Sequence, residues 1–111
     1  MTIREMVHDA QRELMAGDVT PQRGRELLVR LTALLGSVLV EMREADAAYA
    51  VVLLGYLDSD EAASRARIRA ETSPEYARKR TAYDTRTIVV EMIRGLKASI
   101  RSLSDEMQLT R

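Results

Sequence analysis

Apolar residues recur along this chain in steps of three and four, the period of a helix buried on one side. Near the start, Ile3, Met6, Val7, Ala10 and Leu14 keep that spacing. Thr2 stands at an N-cap position, Glu5 sits three residues on where a capping-box partner belongs, and Gly17 suits a left-handed C-cap. These signals predict a first helix over about residues 3–16. Thr20 followed by Pro21 starts the next, because proline at the first helical position gives up no N–H that the helix needs.

The second helix carries the strongest pattern. Leu28, Leu31, Leu35, Val38, Met42, Ala45, Tyr49, Val52 and Tyr56 form an unbroken heptad stripe, the signature of a coiled-coil or bundle seam. Leu27, Leu34, Leu39, Leu53 and Leu54 widen it, so the helix is expected to touch more than one neighbour. The frame continues in small residues through Ser59, Ala63, Ala66 and Ala70. Gly55 and the local Asp58-x-x-Glu61 mark a possible break, but the preserved frame predicts one helix over about 21–71, on the order of 75 Å long at 1.5 Å per residue.

Thr72-Ser73-Pro74-Glu75 is the next boundary, with Ser73 as N-cap and Glu75 at the positive end of the dipole. A third helix is predicted over about 74–109, with Tyr76, Tyr83, Val90, Ile93, Leu96, Ile100, Leu103 and Met107 on one side. A turn this tight makes the two long helices antiparallel. Centred near residue 73, it sets Tyr76 opposite Ala70, Tyr83 near Ala63, Val90 opposite Tyr56 and Ile93 opposite Leu53. A register symmetric about residue 66 would instead pair the four tyrosines. It needs a turn inside 62–70, where every residue favours helix, so the register about 73 is preferred.

The expected fold class is therefore all-α: one helical domain over 1–111, with a short N-terminal helix and a long antiparallel, coiled-coil-like hairpin. Composition agrees, since the only aromatics are four Tyr and the core must be built from Leu, Val, Ile, Met and Ala. Apolar faces this wide exceed what one hairpin covers, which predicts a homo-oligomer through the Leu28–Tyr56 stripe. Cysteine is absent, so disulfides and thiolate metal sites are excluded. No window approaches the roughly 18 apolar residues of a membrane span, and no basic-then-apolar leader opens the chain, so a cytoplasmic protein without membrane contact is expected.

Charge balances at 17 against 17, yet unevenly. Residues 1–61 hold six Arg against eleven acids, whereas residues 62–86 hold Arg65, Arg67, Arg69, Arg78, Lys79, Arg80 and Arg86 against three acids. Tyr76 and Tyr83 are interleaved with these cations, so the basic tip is a candidate nucleic-acid surface: cations for phosphates, rings for bases. The plainer reading is a solvated, salt-bridged helix end.

Glu41, Glu44 and Asp46, followed by Asp58, Asp60 and Glu61, compare with the paired acids that hold magnesium in all-α nucleotide pyrophosphohydrolases. The second pair departs from the Glu-x-x-Asp order, and no Lys, Asn or Trp accompanies it for a base. No metal or cofactor is therefore assigned. His8, the single histidine, lies among Arg4, Glu5 and Arg12 and reads as a surface residue. Gly24, Gly36 and Gly55 are isolated within helix patterns and read as places of close helix approach, not as a phosphate loop.

From about Ala62 onward the chain resembles small helical proteins encoded by bacteriophages, especially those of actinobacteria. The resemblance rests on Arg69-Ala70-Glu71-Thr72-Ser73-Pro74-Glu75-Tyr76, Ile93-Arg94-Gly95-Leu96-Lys97, Leu103-Ser104-Asp105-Glu106-Met107 and the closing Arg111. It implies a phage setting and host cytoplasm, and it supplies no catalytic residue. The expected function is a non-enzymatic oligomeric accessory of phage DNA metabolism that binds single- or double-stranded nucleic acid through the tip. The rival is an adaptor or virion-assembly factor that binds a phage protein by its helix faces. The magnesium-dependent hydrolase comes third.

Overall fold

The computed structural model describes residues 2–59 and 62–109, Met107 by its backbone alone. The fold is all-α. Helices α1 (Ile3–Ala16), α2 (Pro21–Leu57), α3 (Ala63–Glu71) and α4 (Pro74–Leu109) follow one another, with no strand among the described residues. No helix is long and apolar enough to cross a membrane among those residues.

Three helix starts form as their capping residues dictate. Thr2 accepts the Glu5 N–H at 3.2 Å, Thr20 accepts the Arg23 N–H at 3.1 Å and Ser73 accepts the Tyr76 N–H at 3.2 Å. Each side-chain oxygen satisfies one of the amides that a first turn leaves open. Gly17 closes α1 in the left-handed region at φ 83°, and its N–H donates to the Leu14 carbonyl.

The single helix expected over 21–71 is in fact two. α2 stops at Leu57, and Ser59 turns back on it, its hydroxyl donating to the Tyr56 carbonyl at 2.6 Å and its N–H to the same oxygen at 3.3 Å. A serine that bonds its own backbone in this way competes with the helical ladder. Ala62 is extended (φ −60°, ψ 143°), and its carbonyl receives the N–H groups of Arg65 and Ala66 as α3 begins. The turn at Thr72–Ser73 therefore joins α4 to the short α3, not to the long helix.

With the break comes a different register. Tyr76 faces Tyr49, ring centroids 5.3 Å apart, and Tyr83 bonds Asp46, so α4 runs along α2 in a register other than the expected one of Val90 opposite Tyr56 and Ile93 opposite Leu53. The register symmetric about residue 66 is not adopted either, since it pairs Tyr49 with Tyr83. Small residues form the core in this part of the chain: Ala45, Ala66 and Ala70 are fully buried and Ala82 nearly so.

The chain divides into two compact units, Met1–Ser37 with Thr85–Arg111, and Val38–Asp84. In the first, α1 buries Val7 and Ala10, α2 buries Leu27 and Leu31, and α4 buries Thr85, Val89 and Leu96. A Cβ at Gly24 would lie in ordinary van der Waals range of Leu96 and Ile100, so the start of α2 meets the later part of α4, as an antiparallel pair requires. Arg23 ties α2 to α1 by a fork of hydrogen bonds to both Glu13 oxygens, at 2.8 to 3.1 Å. In the second unit, residues 41–49 of α2 meet residues 76–83 of α4.

Two expectations about α2 change. Leu31 and Val38 of the proposed oligomer seam are 1% exposed, so they are core residues of a single chain. Leu28, Leu35, Met42, Tyr49, Val52 and Tyr56 are half-buried beside them. Gly36 and Gly55 have nothing within 4 Å of where a Cβ would stand, so neither permits a close helix approach within the chain.

Candidate nucleic-acid interface

The second unit holds most of the cations expected at the tip, and the structure sorts them into two groups. Arg78, one turn into α4, faces α2. Its guanidinium donates to both oxygens of Glu41 at 2.6 and 3.2 Å and comes within 3.5 Å of Glu44. The hydrogen bond from Arg78 holds the Glu41 carboxyl below its ordinary range and raises the guanidinium in turn. A fork of this kind fixes geometry as well as charge.

Lys79 completes the same face. Its ammonium stands 3.6 Å from Asp46 Oδ1 and lies over the Tyr49 ring at 4.8 Å and the Tyr83 ring at 5.9 Å. Asp46 Oδ2 accepts the Tyr83 hydroxyl at 2.9 Å. Asp46 Oδ1 is shielded from solvent and has no hydrogen-bond partner among the described residues, so the nearby ammonium provides its charge compensation across a gap longer than a hydrogen bond. With Tyr76 tilted at 47° against Tyr49, three rings, one ammonium and one carboxylate form a cluster between α2 and α4.

Arg78, Lys79, Tyr76 and Tyr83 are thus brought together, but onto the acidic face of α2. A phosphate approaching Arg78 or Lys79 would have to displace a carboxylate. Nothing local in the sequence signals this pairing, because the carboxylates lie more than thirty residues away and their meeting with these cations depends on where α2 ends.

The remaining cations face outward. α3 buries Ala66 and Ala70 on one side and exposes Arg65, Arg67, Arg69 and Ile68. Arg65 and Arg67 flank Ala66 in sequence, so at about 100° per residue they splay to either side of the buried edge. Neither has an ion-pair partner among the described residues. Arg69 makes contacts of its own. Arg80 is exposed on α4, and Arg86 is exposed in the first unit.

Of the acids compared with a magnesium site, Glu41 and Glu44 meet Arg78, Asp46 meets Lys79 and Tyr83, and Asp58 is exposed just past the end of α2. Asp60 and Glu61 lie outside the described residues, as does Arg111. Among the described residues no three His, Cys, Asp or Glu side chains are grouped to hold a metal ion. His8 is exposed on α1. An open groove of about 570 Å³ lies in the first unit between α1 and α2, floored by Ile3, Met6, Ala10, Leu27 and Leu34 with Arg23 and Glu13 at its rim. Those two rim residues form one satisfied ion pair, which supplies neither a nucleophile nor a base.

One feature of α2 is only partly legible in its sequence. On the side away from the core, Leu39, Val40, Val51, Leu54 and Leu57 are 40 to 70% exposed. Leu39 and Leu54 mark the helix as wide, but the contacts of Glu41, Asp46 and Tyr49 with α4 show which face is covered. Compared with protein-family models, curated proteins and solved structures, the chain matches none of them.

Proposed function

We propose that the protein is a non-enzymatic binding protein that engages nucleic acid through α3. The observation that carries this reading is the pair Arg65 and Arg67, exposed on a nine-residue helix with three arginines and a single acid. Arginine forks suit phosphate oxygens, and cations without a carboxylate partner, as is true of these two among the described residues, are the ones able to release condensed counterions. Arg80, also exposed, extends the set. Arg78 and Lys79 take a structural part, holding α4 to α2. We propose further that it serves as an accessory of phage DNA metabolism.

A titration of fluorescent single- and double-stranded oligonucleotides tests it. Affinity should fall linearly on a log–log plot against salt, with a slope near −0.7 to −0.9 for each phosphate engaged. A slope of about −2 to −3 corresponds to the arginines available here. Absence of binding to either strand form at low salt overturns the reading.

A protein partner is the second reading, favoured by the exposed apolar residues on the outer side of α2. Under that reading the protein serves as an adaptor or assembly factor, and a stoichiometric complex replaces salt-sensitive nucleic-acid binding.

A further inference from the structure

We infer that the outer face of α2 between Arg43 and Asp58 docks on the same face of a second copy of this chain, the two helices running antiparallel. A second copy gives the apolar face an occupant whether or not α3 binds nucleic acid.

The face lies opposite the one that buries Val38 and Ala45. It consists of Ala47, Ala50, Val51 and Leu54, with Val51 70% and Leu54 58% exposed. Between residues 43 and 58 the only other charges are Glu44 and Asp46, and both turn aside to Arg78 and Lys79. That leaves one cation at one end of the apolar stretch and one anion at the other. Neither Arg43 nor Asp58 has an ion-pair partner among the described residues. Asp58 remains on the helical path, because its N–H donates to the Leu54 carbonyl at 2.9 Å.

A two-fold axis passing between Ala50 and Val51 satisfies both ends at once. Arg43 of each copy then meets Asp58 of the other, and small meets large in between, Ala47 against Leu54 and Ala50 against Val51. Isologous contacts of this kind close after two subunits. A parallel pair would set Arg43 against Arg43 and Asp58 against Asp58, which like-charge repulsion disfavours. The contact spans about 16 residues, about 24 Å of helix, and buries less than the roughly 1,200 Å² of a strong interface. The dimer is therefore weak, and its population depends on concentration.

Sedimentation velocity from low micromolar to near-millimolar protein reads the equilibrium. The wild type should shift from monomer to dimer across that range. Leu54→Lys should remain monomeric throughout with an unchanged melting temperature, because residue 54 is exposed in the monomer. Arg43→Asp and Asp58→Arg should each raise the dissociation constant about tenfold. The combined Arg43→Asp/Asp58→Arg variant should restore it, since the reversed charges meet again. A wild type that stays monomeric overturns the inference. So does a dimer indifferent to Leu54→Lys, or one that the double reversal fails to rescue.

Discussion

Among the side chains of α2, exposure separates residues that look alike in sequence. Leu31 is 1% exposed, whereas Val29, two positions earlier, is 70% exposed. Leu31→Ala should cost about 2–5 kcal/mol, the range for opening a cavity in a packed core. Val29→Ala should stay within about 0.5 kcal/mol. Urea melts of both variants check the difference, and equal losses would mean that the core lies on the other side of α2.

The ion pairs at this scale carry a pH signature. Hydrogen bonds from Arg78 and Arg23 hold the Glu41 and Glu13 carboxyls below their ordinary range. A carboxyl whose folded value is depressed contributes stability above its unfolded value, near about 4.3, and loses it as pH falls through the folded one. Thermal melts between neutral and strongly acid pH should show that loss. Glu41→Gln should lower the melting temperature at neutral pH and shrink the difference between neutral and acid. Because both pairs are partly exposed, salt screens them and the effect is modest. An acid limb unchanged by Glu41→Gln would place the titration elsewhere.

For the elements, what is legible in the sequence is whatever local chemistry determines. Thr2, Gly17, Thr20, Pro21, Ser73 and Pro74 each fix a boundary through a cap or a ring constraint acting within one turn. All six stand at helix ends in the fold. The break after Leu57 is harder to read, although Gly55, Asp58 and Ser59 are its markers. The heptad frame stays in phase through Ala63, Ala66 and Ala70, and phase alone cannot tell a straight helix from one that stops and resumes. The small residues are the better clue. Ala45, Ala66, Ala70 and Ala82 are all buried, as a third helix packed into the unit by an alanine edge requires. Ala66→Leu should therefore overpack the unit and cost about 1–3 kcal/mol. Ala63→Leu, at an exposed position of the same helix, should be nearly neutral. If thermal melts show the two substitutions costing the same, α3 does not pack through its alanine edge.

The candidate site follows the same division. The cations of residues 62–86 are legible as a group because charge is written directly in the sequence. Which of them stay available is not, because Glu41, Glu44 and Asp46 reach Arg78 and Lys79 across more than thirty residues, in a register that the break determines.

At the level of the whole molecule, a net charge of zero conceals a division of labour among cations of one kind. Arg78 is held in a fork by Glu41, whereas Arg65 and Arg67 are exposed with no carboxylate partner among the described residues. On the reading proposed above, Arg65 and Arg67 of α3 carry the binding, and the paired Arg78 of α4 carries the fold. The decisive comparison sets Arg65→Ala/Arg67→Ala beside Arg78→Ala, measuring for each the melting temperature and the salt dependence of oligonucleotide binding. The α3 variant should melt like the wild type while its log–log salt slope flattens by about 1.4–1.8, the change expected when two phosphates are no longer engaged. Arg78→Ala should melt earlier and keep the wild-type slope. The reverse pattern, with binding abolished through Arg78 and retained without Arg65 and Arg67, would refute this assignment of roles.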